Sequence, residues 1–325
     1  MIIAYIPLNP FASLIINEAN FNRLKDALWI DVYEPTDDEM TWIETTLGIM
    51  MPTRAAMQEI EASSRLYMVH ETLYMTATLI AGSTSSQPQD DSVTFILTYD
   101  QLLTLRYIKP TTFELFTIKV LKEISPDISA LVLLIHLLEV AIDRLADIFE
   151  MVGANLEKFS RKIFNPSLSQ AYTPSLNYAL LMLEIGQNAN LSSKSRESLL
   201  TLNRLVSFLN QSSLVTLNGS TLAHIDILVK DILSMTDYAN FINNKINFLL
   251  DATLGLVNIE QNNIIKIFSV AAVIFLPPTL IASIYGMNFH EMPELDWKYG
   301  YIIATGMMLL SAIIPYQFFK RRKWL

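Results

Sequence analysis

Residues 258–289 read NIEQNNIIKIFSVAAVIFLPPTLIASIYGMNF, and this stretch decides the architecture of the chain. From Ile267 to Tyr285 it carries no charged side chain, and a second uncharged run follows from Tyr299 to Phe319. Each is roughly 20 residues long, enough to cross about 30 Å of hydrocarbon as a helix. The link between them is short and acidic. The two runs are therefore expected to form a transmembrane hairpin with Tyr285-Gly286-Met287-Asn288 at its turn.

Upstream, the first run has no evident start. Between Thr221 and Phe275 the only glycine is Gly255, and there is no proline. An unbroken helix from Thr221 to Tyr285 would rise roughly 100 Å at 1.5 Å per residue. Only about 30 Å of that fits the hydrocarbon. The remainder is expected to stand in water as a stalk, and its heptad-like pattern points to a bundle of identical subunits.

One row of this helix differs from the rest. Asp251, Gly255, Asn258, Asn262, Ile265, Ser269, Ala272, Leu276, Thr279, Ser283 and Gly286 recur at steps of four and three. The row is polar toward the stalk, small or weakly polar in the apolar run, and bulky only at Ile265 and Leu276. Two readings stand side by side. Small residues let membrane helices pack closely; the same row could line a pore in which Ile265 and Leu276 constrict by dewetting.

Composition agrees with a membrane protein bearing a large water-exposed part: 325 residues, 17% charged, mean hydropathy +0.33. There is no cysteine, which removes disulfides and thiolate metal sites. A net charge of −9 argues against nucleic acid and is compatible with a cation partner. The apolar start MIIAYIPLNPFASLII has no basic residue before Arg23 and contains Pro7 and Pro10, so it does not read as a signal peptide. His70, His136, His224 and His290 show no HExxH or paired spacing, and no Ser/His/Asp or paired-carboxylate signature stands out. The chain does not read as an enzyme.

Basic residues set the orientation. Lys266 lies at the inner end of the first run, and Lys320, Arg321, Arg322 and Lys323 follow the second, whereas the link holds Glu291, Glu294 and Asp296 with one lysine. The positive-inside rule puts both termini in the cytoplasm and the link outside. Trp297, Tyr299 and Tyr301 suit the outer aromatic belt, Tyr316 and Trp324 the inner one. The basic tail suits lipid headgroups.

Residues 1–110 read as mixed α/β. Expected strands are Ile2–Ile6, Leu28–Tyr33, Leu66–Val69, Leu73–Leu79, Val93–Thr98 and Leu102–Tyr107. Thr36 with Glu39 is a capping-box signal for a helix from Asp37 to Leu47. Gly82–Asp91 (GSTSSQPQDD) is expected to be a mobile loop. From Pro110 the period turns helical: one long helix over Ser129–Phe164, interrupted at Asn165-Pro166, then another from Pro174 to Asn210. Loops are expected at Gln211–Ser213 and Asn218–Ser220.

The order YGMN, MPEL (Met292–Leu295), second run and FKRRKWL ending resembles the CorA family of divalent-cation transporters, as does the 258–289 stretch. WIDVYEPTDDE (Trp29–Glu39) and IEASSRLY (Ile60–Tyr67) are similar to its proteobacterial branch. The resemblance implies an α+β cytoplasmic domain, a long stalk helix and two transmembrane helices, assembled as a funnel-shaped homopentameric channel of the inner membrane. It divides the chain into a cytoplasmic domain (1–220, with 1–110 α/β and 111–220 helical), a stalk (221–263), a first span (264–288), an external loop (289–298), a second span (299–319) and a basic tail (320–325).

Carried onto this chain, the resemblance makes Gly286, Met287 and Asn288 the selectivity filter. It puts Thr279, Leu276, Ile265, Asn262 and Asp251 on the pore. Glu291 and Glu294 would attract cations outside, although His290 stands where an acidic residue is expected and Glu291 where an aromatic is usual. A neutral amide ring holds a hydrated magnesium ion through its waters without trapping it. No Walker A pattern is present, so the membrane potential would drive entry, worth roughly 4.6 kcal/mol per 100 mV for a divalent ion. The family's inter-subunit regulatory magnesium would fall to Asp226, Asp231 or Asp237, for which a solvated helix face is the alternative. Magnesium is the expected ion, with cobalt, nickel or zinc as alternatives. A membrane-tethered sensor or scaffold without a pore is the alternative from another class.

Overall fold

The structure is a computed structural model and describes residues 1–8, 11–85, 87–164, 177–212, 219–287, 290 and 292–322. It falls into two compact units, Met1–Leu250 and Asp251–Leu325.

The first unit is built on a seven-stranded sheet of order β2-β1-β3-β7-β6-β5-β4. Its strands are β1 (Ile2–Ile6), β2 (Ala12–Ile16), β3 (Trp29–Tyr33), β4 (Leu66–Val69), β5 (Thr72–Ala81), β6 (Gln89–Leu97) and β7 (Leu102–Arg106). All neighbours are antiparallel except β3 and β7, which run parallel. Helix α1 (Asp37–Leu47) opens with the expected capping box: Glu39 N–H donates to Thr36 Oγ1, and Thr36 N–H donates to Glu39 Oε2. It stops at Gly48, whose φ of 69° is the left-handed conformation that favours glycine. The short helices α2 (Arg54–Met57) and α3 (Ala62–Arg65) lead into β4. One core collects Ile2, Ile30, Val32, Ile43, Leu103 and Leu105 between sheet and α1.

Two expectations need correction. Strand β2 was not anticipated, because Ile15 points out at 63% exposure and blurs the apolar alternation of an edge strand. Gln89–Asp91, expected as loop, are the first residues of β6. Polar as they are, Asp90 pairs with Lys194, and Asp91 with Arg54 at 3.5 Å. The β4–β5 hairpin turns on His70 (φ 46°) and Glu71 (φ 65°), both in the positive-φ region of a tight two-residue turn.

Parallel pairing of β3 with β7 brings Asp31 opposite Thr104. Arg106 clasps Asp31 with two bonds, Nε to Oδ1 at 3.0 Å and Nη2 to Oδ2 at 2.8 Å. Thr104 Oγ1 donates to Asp31 Oδ1 and accepts from Trp29 Nε1. Asp31 is 3% and Arg106 8% exposed, so the pair is desolvated and needs every partner it has. The guanidinium also lies over the Phe113 ring at 4.6 Å. Burial, then the Asp31 charge, pushes the Tyr5 hydroxyl up to about 12.

Beyond the sheet, α4 (Thr111–Leu115) precedes three long helices: α5 (Ala130–Phe164), α6 (Tyr178–Gln211) and α7 (Gly219–Tyr285). The expected helix over Ser129–Phe164 is therefore present. Gln211 and Gly219 are helical rather than loop; Asn165-Pro166, Pro174, Ser213 and Asn218 lie outside the described residues. Helix α6 lies on β5 past the end of β4. There Thr78 N–H donates to Thr201 Oγ1 and Ser198 Oγ donates to Thr78 O, so buried hydroxyls take up backbone groups of an open strand edge. Helix α6 runs antiparallel to α5, joined by Asn155–Asn188 and Lys162–Glu184. Helix α7 runs parallel to α5. Matched pairs descend both helices: His136–His224, Phe149–Tyr238, Glu157–Lys245 and Phe164–Phe248. At Gly153 a Cβ would come within 2.7 Å of Tyr238 Oη, so the absence of a side chain there sets how closely the two helices approach.

Removing one partner of a buried ion pair strands the other charge. Asp31→Ala is expected to lower the unfolding free energy by about 3–5 kcal/mol. Urea unfolding followed by tryptophan fluorescence, with Trp29 reporting from within the network, checks this. A midpoint equal to wild type would deny the network its role.

Candidate ion pathway

The second unit holds α7 from Asp251 onward and α8 (Gly300–Arg321). Both helices are long and apolar enough to cross a membrane. The first is continuous from Gly219 to Tyr285 even through Pro277 and Pro278. Those prolines have no N–H for the carbonyls of Val273 and Ile274. Thr279 and Ser269 turn their hydroxyls back to Phe275 O (2.7 Å) and Ile265 O (2.8 Å). Their protons are thus used within the helix and their oxygens remain as acceptors.

Every residue of the row from Asp251 to Gly286 is exposed. On the other side of α7, Val270 is buried and Lys266, Ile274, Pro277, Ile281 and Tyr285 are half-buried. At 3.6 residues per turn the covered positions sit roughly half a turn from the row. Thr279, Leu276, Ile265, Asn262 and Asp251 thus share one bare face within this unit. Its polar atoms are oxygens and amides, and its bulky members Leu276 and Ile265 are 66% and 53% exposed.

Tyr285 is the last helical residue. Gly286 N–H still bonds Ala282 O at 3.0 Å and Met287 N–H bonds Ile284 O at 3.2 Å. A Cβ on Gly286 would lie 3.1 Å from Ala282 O, so the glycine lets the chain close tightly on the helix end. Asn288 and Glu291 lie outside the described residues, as do Lys323 and Trp324. Glu294 falls in a short 3-10 turn, Pro293–Asp296.

Asp226, Asp231 and Asp237 of α7 are exposed but not gathered. Asp226 and Asp237 lie on one side of the helix, and Asp231 is about 140° away. Among the described residues no group of three or more His, Cys, Asp or Glu is arranged to hold a metal ion. Instead, Asp231 faces α5. Partial burial, then the charges of Glu139, Asp147 and Asp231, push the Asp143 carboxyl up from 3.8. On the same face a hydrogen bond to Glu139 raises the His136 imidazole. This acidic patch was missed from sequence, although Glu139, Asp143 and Asp147 recur every four residues on one helix face and were readable as such.

An α+β unit followed by two apolar, membrane-length helices, the first bearing an exposed row of polar, small and apolar residues that ends at a tight glycine, is the architecture of a two-span membrane protein. The profile of the family described as "CorA-like Mg2+ transporter protein" matches residues 25–321. The chain is 36% identical over 302 residues to "Magnesium transport protein CorA" of Salmonella typhimurium (strain LT2), covering 93% of each, and equally similar to that of Escherichia coli (strain K12). Its fold matches the complete structure of the CorA magnesium transporter from Methanocaldococcus jannaschii with a TM-score of 0.76, at 21% identity, covering 100% of this chain and 99% of that one. The chain belongs to the CorA family.

The patch makes its own prediction. A folded pKa above the ordinary value means the charged form of Asp143 is disfavoured in the fold, so its charge costs stability at neutral pH. Asp143→Asn should raise the thermal midpoint at pH 7. The gain should shrink as pH falls through the raised pKa toward 3.8, and it should shrink in high salt. Scanning fluorimetry across pH reads both trends; a gain that is independent of pH would contradict them.

Proposed function

We propose that this chain carries magnesium into the cytoplasm through a pore made by five copies of itself. Its 36% identity over 93% of proteins named for magnesium transport is the observation that carries this reading. The bare row of α7 supplies the mechanism. Five such rows around an axis would give a lumen offering carboxylate and amide oxygens at Asp251 and Asn262, hydroxyl oxygen at Thr279, and narrow apolar rings at Ile265 and Leu276.

Gly286, Met287 and Asn288 form the outer filter in this reading. Magnesium dehydrates reluctantly, so a ring of neutral Asn288 amides holds it through its water shell and lets it leave. Glu291 and Glu294 raise the cation concentration at the mouth. The membrane potential drives entry, and the chain catalyses no bond chemistry. Lys266 and the basic tail put both termini in the cytoplasm, so the divisions 1–220, 221–263, 264–288, 289–298, 299–319 and 320–325 are domain, stalk, first span, loop, second span and tail. The plasma membrane is its location, and cobalt and nickel, whose hydrated ions resemble magnesium in charge, are secondary cargo.

Intracellular magnesium closes the pore by neutralising carboxylates between subunits. Asp226, Asp231 and Asp237 are exposed on α7, where a neighbouring copy can complete a site that one chain does not.

Asn288→Ala should abolish magnesium uptake into proteoliposomes while the assembly keeps its size on gel filtration; undiminished flux would sink the assignment. Stalk cleavage by a protease should slow in millimolar magnesium. A digestion rate indifferent to the ion would remove the gating role of these carboxylates.

A further inference from the structure

One side-chain group in the first unit is not used by any part of the pathway. His136 on α5 and His224 on α7 meet across the helix pair with ring centres 6.4 Å apart and planes at 63°. Glu139, one turn along α5, holds His136 Nδ1 at 2.8 Å. A carboxylate only accepts, so Nδ1 carries the proton and, in the neutral ring, Nε2 keeps the lone pair; because the same bond raises the imidazole, a metal on Nε2 competes with a proton. This is the arrangement in which a second-shell carboxylate fixes the tautomer and ring of a metal-binding histidine.

We propose that His136 and His224 form a two-histidine site for a borderline divalent transition-metal ion of the zinc, nickel and cobalt class. Glu139 orients His136, and water completes the coordination. With metal–nitrogen bonds of about 2.0–2.1 Å each ring centre lies roughly 3.2 Å from the ion, so two imidazoles at a tetrahedral angle stand roughly 5.2 Å apart and reach about 6.4 Å only when trans. The observed 6.4 Å is about 1 Å wider than a tetrahedral pair, and His224 is on the surface, where its ring can turn inward to close the gap. Glu139, Asp143, Asp147 and Asp231 make the surroundings negative, which concentrates divalent cations without supplying a chelate of their own.

The donor atoms give the site its selectivity. Imidazole nitrogen suits zinc, nickel and cobalt, whereas magnesium requires oxygen ligands in octahedral geometry. A bound ion would tie α5 to α7, the helix that runs without a break to Tyr285. The site therefore reads an ion that the oxygen-bearing row cannot tell from magnesium by charge. This proposal does not depend on the pore: it stands on the first unit alone.

The test is calorimetric titration of zinc and of nickel into the full-length protein in detergent near neutral pH, in a large excess of magnesium. Wild type should show a binding event that magnesium does not displace. That event should vanish in His136→Ala and in His224→Ala, and weaken about tenfold in Glu139→Gln. Zinc should also raise the thermal midpoint of wild type but not of His224→Ala. Since His224 is exposed, its replacement leaves the fold intact. Identical isotherms for wild type and His224→Ala, or displacement of zinc by magnesium, would overturn the proposal.

Discussion

The hydrocarbon core of a membrane supplies no partner for a backbone N–H or C=O, and the second unit is shaped by that constraint. Only a helix closes its own hydrogen bonds within one segment, so α7 and α8 must be helical wherever their side chains are apolar. The same constraint governs the polar residues among them. Ser269, Thr279, Thr305 and Ser311 all donate back to carbonyls three or four residues behind. The prolines at 277 and 278 release two carbonyls, and the ladder resumes at once beyond them. The helix ends at Tyr285, where Gly286 closes against Ala282 O and hands the chain to Met287.

In the first unit water is available, and the constraint is met by side chains instead. Thr78 presents its N–H and C=O at a strand edge beyond the reach of β4, and hydroxyls of α6 take both. The buried Asp31 carboxylate is answered by Arg106 and Thr104. Such pairs rarely add net stability compared with an apolar alternative. What this one does is fix register: a slip of one residue between β3 and β7 would turn Asp31 or Arg106 to the opposite face without its partner.

Local signals carried well from sequence to structure. The Thr36/Glu39 capping box placed α1 to the residue, and the three-and-four spacing of leucines gave α5. The absence of proline and the single glycine before Phe275 foretold the unbroken α7. Non-local compensation did not carry. Gln89–Asp91 look like loop because their strand is stabilised by Arg54 and Lys194, far away in sequence. Strand β2 is an edge whose outward Ile15 spoils the alternation. Asp31 and Arg106 lie 75 residues apart in two expected strands, and nothing local marks them as a pair until the parallel pairing brings them together. Period alone picked out a row that the structure leaves exposed on one face, but period could not say that α5 faces Asp231 with Asp143.

The oxygen and nitrogen donors of the chain are kept on separate stretches. Along the row from Asp251 to Gly286 every polar side chain is Asp, Asn, Ser or Thr, and the chain has no cysteine. Such a face offers oxygen only, and oxygen is what a hydrated magnesium ion accepts through its waters. An imidazole on that face would hold zinc or nickel far more tightly than magnesium and would block passage of any ion behind it. The nitrogen donors His136 and His224 instead sit on α5 and early α7, inside the first unit, where tight binding obstructs nothing. In the proposed pathway, separating the oxygen donors of the row from the imidazole nitrogens of the first unit keeps a tightly held ion off the route of a hydrated one.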